Sequence, residues 1–192
     1  MALSGSCSKC DTFIITDAFL NPNLIPSLFS LSDVHYQIPD GPCRDILPKQ
    51  NLTCPSGDDA TVSFIERLLD IEKPDIVIHT GDVVDYATYP SSDGMDVIYG
   101  LSQKAGVPWA ATLGNHEDDS DLSRPDVMDY IVNMEGTLSQ VNALGEGETE
   151  AYGNFYLEIF KSSSSEKPSF RTYHLDANTN KASINSDQVN WF

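Results

Sequence analysis

The chain has 192 residues, 40% of them hydrophobic, which is enough for one domain with a sizeable core and too few for two. Its 29 acidic residues against 11 Lys and Arg leave a formal net charge of −18 and a pI near 4.2. That balance excludes nucleic acid and anionic membrane surfaces as partners, because phosphate would be repelled at every approach; an anionic substrate needs a local positive centre, which a bound metal ion supplies.

Residues 1–28 lack a basic n-region, and Asp17, Asn21, Pro22 and Asn23 interrupt their apolar stretch. No convincing signal peptide is present, and no apolar run approaches the roughly 18 residues of a membrane span. This segment is expected to be a divergent or disordered leader, with the folded domain over 29–192. Cys7-Ser-Lys-Cys10 has zinc-ribbon spacing, but no second pair follows and no metal is assigned to it. LIPSLFSLSDVH reads as a short strand ending at Asp33, followed from Tyr36 to about Asp59 by a loop rich in Pro, Gly and Asp. That loop holds the glycosylation sequon Asn51-Leu52-Thr53, and Cys43 and Cys54 bracket it as a secreted-protein disulfide does. Four cysteines leave the pairing and the compartment open.

DDATVSFIERLLDIEKP predicts a helix capped by Asp58 or Asp59, with Val62, Ile65, Leu68 and Leu69 as its apolar stripe and Pro74 as its stop. DIVIHTGD is too short for a helix and rich in β-branched residues, so it predicts a buried strand. MDVIYGLSQKAG is a weaker helical segment closed by Gly106, and VPWAATLG is the next strand. SRPDVMDYIVNMEGTL predicts a third helix with Ser123 or Arg124 near its cap, Pro125 in its first turn, and Val127, Tyr130, Ile131 and Met134 on one face. GNFYLEIF and SFRTYHLD follow as two strands separated by the turn KSSSSEKP. Alternating strands and helices of this kind build βαβ units around a largely parallel sheet.

Polar clusters follow each of the first three strands: Asp33 and His35, then Gly81 and Asp82, then Gly114, Asn115 and His116. In an open α/β sheet the carboxyl ends of neighbouring parallel strands face one crevice, so the three clusters meet there. Carboxylate, imidazole and amide donors together suit iron, zinc or manganese rather than structural zinc. Asp82, in the middle cluster, is placed to bridge two ions. A purely local reading is that Gly114 and Asn115 turn the chain while His116 and Glu117 face water.

Asp-x-His, Gly-Asp and Gly-Asn-His-Glu, each after an apolar strand, together resemble the calcineurin-like metallophosphoesterases. The stretches "CRDILPKQNLTC", "FIERLLDIEKPDIVIHTGD", "GVPWAATLGNHE" and "LSRPDVMDYIVNMEGTLSQ" are similar to a plant-type branch of the purple acid phosphatases. The resemblance runs from about Phe29 to Phe192. It implies an α/β fold, a sandwich of β-sheets flanked by helices and here truncated at the C-terminus. It also implies a metal-dependent phosphomonoesterase of the acid phosphatase type, secreted or vacuolar, acting on a small phosphomonoester. Its cofactors would be two metal ions, iron with zinc, manganese or a second iron. Carried over by position, Asp33 and His35 would hold the first ion, Asp82 would bridge, and Asn115 would reach the second. Asn115 and His116 would meet the substrate phosphate, and His116 would protonate the leaving oxygen. A metal-bound hydroxide would attack phosphorus in line. A phosphodiesterase or protein phosphatase of the same fold, or a catalytically inactive truncated chain, are the alternatives.

Two departures stand out. Coloured members carry Tyr three residues after the bridging Asp; here Asp85 takes that place and Tyr86 follows, which argues against a strict iron(III) site. The family's later histidine motifs are not reached before "SDQVNWF", so a poorly furnished second metal site and low activity are expected. His79 and His174 lie inside strands and are expected in the core rather than on a metal. Trp109 and Trp191 read as packing aromatics, and Asp118, Asp119 and Asp121 as a solvated acidic loop. Arg44 and Arg124 are candidates for touching phosphate.

Overall fold

The computed structural model of the protein describes residues 14–15, 27–39, 41, 56–141, 151–160, 165–177 and 184–191. The sequon, the proposed Cys43–Cys54 pair, Arg44 and the Cys7/Cys10 motif lie outside them. The elements run β1 (Ile14–Ile15), β2 (Leu28–Leu31), α1 (Gly57–Glu72), β3 (Ile76–His79), α2 (Ser91–Ala105), β4 (Trp109–Ala111), α3 (Arg124–Val132), β5 (Phe155–Ile159), β6 (Phe170–His174) and α4 (Ser186–Trp191). No helix among the described residues is long and apolar enough to cross a membrane.

The run Ile76-Val77-Ile78-His79 is buried throughout and forms the central strand of a parallel sheet ordered β2-β3-β4. Leu31 pairs with His79 and His79 with Ala111, so the three strands end level at one edge. The expected parallel sheet stops there. Strands β5 and β6 pair antiparallel and β1 joins β5 in parallel, making a second three-stranded sheet. Alternation along β3 and β4 divides the core between two layers. Val77, Trp109 and Ala111 pack with Ile65, Leu69, Met95, Ile98 and Ile131 of the helices, while Ile76, Ile78 and Ala110 pack with Phe155 and Leu157 of the second sheet. Beyond that sheet, Trp191 of α4 packs against Tyr156 and Tyr173.

The helix ends correct several local expectations. Ser56, not Asp58 or Asp59, caps α1: its Oγ accepts the Asp59 N–H at 3.0 Å, while the two acids sit in the first turn, where the helix dipole favours them. Asp58 is buried, and its carboxylate accepts the N–H groups of Gln37 and Gly41 at 3.0 and 2.7 Å, tying the loop after β2 to the helix. Lys73 closes α1 in the left-handed conformation, directly before Pro74. Helix α2 starts at Ser91 rather than near Met95. Pro90 provides no capping side chain, and Asp121 on a remote loop accepts the Ser91 N–H at 2.8 Å instead. Helix α3 ends at Val132, short of the expected run, with Asn133 as its C-cap.

His79 is a core residue, as its strand position predicts, but an unsatisfied one. Its ring stands edge-on to Tyr99 and Trp109, with centroids 4.8 and 5.8 Å away, and neither ring nitrogen has a hydrogen-bond partner among the described residues. Burial lowers its pKa from 6.5 to about 3 and that of His174, stacked on Phe155, to about 4. The unfolded chain therefore binds more protons than the folded one below the ordinary imidazole pKa, and stability falls as pH drops from about 6.5 toward 4. Replacing His79 by Phe keeps a ring against Tyr99 and Trp109 while removing one of these groups. The stability lost between about pH 7 and about pH 4.5 is expected to be smaller by about 2 kcal/mol in His79→Phe, read by urea denaturation at both values. Equal losses in the two proteins would show that His79 does not couple folding to pH.

Candidate metal centre

Pairing between the strands continues past their ends. Thr80 N–H donates to Leu31 C=O at 2.8 Å, Asp33 N–H to Gly81 C=O at 3.1 Å, His35 N–H to Asp82 C=O at 3.0 Å and Tyr36 N–H to Val83 C=O at 2.9 Å. To keep these bonds while turning outward, the chain takes φ of 54° at Asp33, 47° at His35 and 54° at Asp82, with Gly81 at 100°. Left-handed backbone costs a side-chain-bearing residue about 1 kcal/mol or more. The one other such residue described, Lys73, is a helix C-cap. Strain gathered at three polar residues of two adjacent loops marks a place where the backbone is bent to present side chains.

Those three side chains converge. Asp33, His35 and Asp82 each offer a ligand atom, all within 4.8 Å of one another, the one such group of acidic, His or Cys residues among those described. Asp33 is exposed, His35 half-buried and Asp82 buried, so the cluster has an open side. Two carboxylates and an imidazole fit one hard or borderline divalent ion. The glycines of both motifs are steric requirements. A Cβ on Gly114 would stand 2.5 Å from the Asp82 nitrogen and overlap its carboxylate, and one on Gly81 would overlap the Gly114 backbone.

The third cluster closes the crevice. His116 N–H donates to Asp82 Oδ1 at 2.9 Å, and the His116 ring lies edge-on to His35 with centroids 5.3 Å apart. Asn115 is exposed on the same turn. The hydrogen bond that His116 Nδ1–H donates to Asp119 Oδ2, at 2.5 Å, is the largest of the effects that raise the His116 pKa, with the charges of Asp82, Asp119 and Glu117 adding to it.

The local reading of a water-facing His-Glu pair is wrong for Glu117. It is 1% exposed, and its carboxylate accepts Val83 N–H at 2.8 Å and Gly114 N–H at 2.5 Å, stapling the loop after β3 to the loop after β4. Burial, aided by the Asp82 charge and opposed by the Val83 N–H, pushes its carboxyl up to about 7. The acidic loop is as solvent-exposed as expected at Asp119 and Asp121, but its carboxylates also have partners. Asp118 pairs with Arg124 at 2.9 Å, Asp119 with His116, and Asp121 with the start of α2. Arg124 is 5% exposed and committed to Gly114 C=O, Asp118 and Asp176 at 2.8, 2.9 and 2.5 Å. It braces the site loop against the second sheet instead of facing the crevice. Glu117→Gln turns one accepting oxygen into an N–H facing a backbone N–H. It is expected to cost about 2 kcal/mol of stability and to weaken manganese binding, read by urea denaturation and titration calorimetry. Unchanged values on both counts would show that the staple is dispensable.

The chain is 35% identical over 138 residues to "Probable inactive purple acid phosphatase 14" of Arabidopsis thaliana, an alignment covering 69% of this chain and 34% of that protein. It is 31% identical over 140 residues to "Probable inactive purple acid phosphatase 29" of the same plant, covering 70% of this chain and 36% of the relative. It is also 28% identical over 153 residues to "Phosphatase DCR2" of Saccharomyces cerevisiae, covering 78% and 26%. The chain thus spans about a third of the length of the plant relatives. No solved structure matches it significantly. The model of the calcineurin-like phosphoesterase family matches residues 28–188, across all three polar clusters, and the chain belongs to that family.

Proposed function

We propose that this chain carries the metal-binding half of a phosphomonoesterase site of the acid phosphatase type, acting on a small phosphate ester. The observation that carries this reading is the convergence of Asp33, His35 and Asp82 on strained backbone, with His116 held against Asp82 beside them. Asp33 and His35 would hold the first ion and Asp82 would bridge to a second, which Asn115 would reach; iron with zinc, manganese or iron suits these donors. When bound, such ions supply the positive charge that an anionic ester needs at a chain of net charge −18 and lower the pKa of a coordinated water.

The chain's own residues do the rest. Asp82 is oriented by the His116 backbone N–H, which ties the carboxylate to the loop that bears Asn115 and His116. His116, half-exposed and inclined to carry a proton through its Asp119 contact, is suited to protonate the leaving oxygen. Asn115, exposed on the same turn, is placed to donate to a phosphoryl oxygen. A compartment outside the cytosol, secreted or vacuolar, is part of the proposal.

A second reading is a metal-binding chain without turnover, and the word "inactive" in the names of the plant relatives favours it. Three measurements on one preparation separate the possibilities: metal stoichiometry, hydrolysis of an aryl phosphate, and hydrolysis of a bis-aryl phosphodiester. The proposal expects monoester turnover exceeding diester turnover. Asp82→Asn should lower both bound metal and rate, whereas His116→Ala should lower the rate by about a hundredfold with most metal retained. Tight metal binding without hydrolysis of either ester would establish the inactive reading, and faster diester turnover a phosphodiesterase.

A further inference from the structure

We infer that Asp119 is the positioning residue for His116: it accepts a hydrogen bond from Nδ1–H, fixes the imidazole as the Nδ1–H tautomer, and leaves Nε2 as the nitrogen available to a substrate. This rests on the reading of His116 as proton donor in the phosphatase proposal, but the tautomer can be measured apart from activity.

The contact is built rather than incidental. Residues 116–119 form a tight turn closed by the Asp119 N–H donating to His116 C=O at 3.2 Å, which sets the two side chains on the same side of the chain. Arg124 grips this turn, bonding Gly114 C=O just before it and the Asp118 carboxylate within it. With the backbone held, Asp119 Oδ2 comes to 2.5 Å from His116 Nδ1. An ionised carboxylate only accepts, so the proton in this bond belongs to the ring. Which imidazole nitrogen carries the proton is set by the bond that the other makes, and among the described residues the structure gives Nε2 no hydrogen-bond partner.

The other acids near His116 are otherwise engaged. Asp82 receives the backbone N–H of His116 rather than its ring, and the Glu117 carboxylate is occupied by Val83 and Gly114 N–H groups. Asp119 is therefore the acid that touches the imidazole. Its charge also lies beside a group of opposite charge whenever His116 is protonated, which limits its repulsion of an incoming phosphate.

The test is the 15N spectrum of the ring nitrogens in the uniformly labelled chain at about pH 8 without added metal, with His116→Ala assigning the signals. The expected pattern is Nδ1 in the range of a protonated nitrogen and Nε2 in the range of a bare one. Asp119→Ala should shift His116 toward the Nε2–H form, and Asp119→Asn, whose amide oxygen still accepts, should restore the native pattern. With aryl and alkyl phosphates as substrates, Asp119→Ala should lower kcat for the alkyl ester, whose leaving oxygen needs a proton, about tenfold more than for the aryl ester. A native chain with His116 in the Nε2–H form, or a tautomer unchanged in Asp119→Ala, overturns the assignment. The expected tautomers in a chain that hydrolyses neither ester support the positioning role while removing the phosphatase reading.

Discussion

The site depends on hydrogen bonding between two loops that behave as though the strands had not ended. After Leu31 and His79 the chain no longer has strand geometry, yet Asp33, His35 and Tyr36 keep donating to Gly81, Asp82 and Val83. Maintaining that ladder while the backbone turns forces left-handed conformations on Asp33, His35 and Asp82. Three residues that would rather be elsewhere in φ/ψ space are held by bonds from both sides, and that places two carboxylates and an imidazole within one ion's reach. The third loop approaches so closely that both contact positions must be glycine. Removing the side chain at Gly81 and Gly114 is what lets three separate loops share one small volume.

A chain this acidic has to manage its buried carboxylates, and it does so mainly with backbone N–H groups. Asp58 receives two, Glu117 two, and Asp121 the unsatisfied N–H at the start of α2. The bonds to Asp58 and Glu117 offset the desolvation of buried acids, and all but the Gly114 bond to Glu117 join segments far apart in sequence. One of the scarce cations serves a junction. Arg124 links the site loop to Asp176 at the end of β6, where Gln188 of α4 bonds the Asp176 carbonyl at 2.7 Å and Asn154 accepts the Asp176 N–H at 3.1 Å. The second sheet and α4 thus bear on the site through one guanidinium, although none of their residues lies in the cluster.

Family membership and activity are separate matters here. The family model spans all three polar clusters, while the plant relatives bear names with the word "inactive" and the yeast relative is named a phosphatase. The Asp in place of the chromophoric Tyr illustrates the point. Asp85 is 3% exposed and accepts the Ala87 N–H at 3.1 Å, which shapes the loop after β3 without joining the Asp33, His35 and Asp82 group.

Periodicity and motif order in the sequence were sufficient for the alternation of strands and helices, the buried central strand, and the three polar clusters, because each of these is written in residues close along the chain. The expectation of neighbouring parallel strands was enough to bring Asp33, His35, Asp82 and His116 to one edge, and the order β2-β3-β4 agrees with it. What the tertiary structure alone decided concerns partners far away in sequence. Glu117 reads as a solvated loop acid until Val83, 34 residues earlier, is seen to donate to it. Arg124 reads as a phosphate ligand until Asp176, 52 residues later, takes its guanidinium. Asp121 caps a helix that begins 30 residues before it, and β5 and β6 leave the parallel sheet to build a second one whose inner residues cover Ile76 and Ile78. A sequence records the chemistry of each side chain and its near neighbours; whether a charge ends in water or in a buried bond depends on which remote backbone group folding sets opposite it.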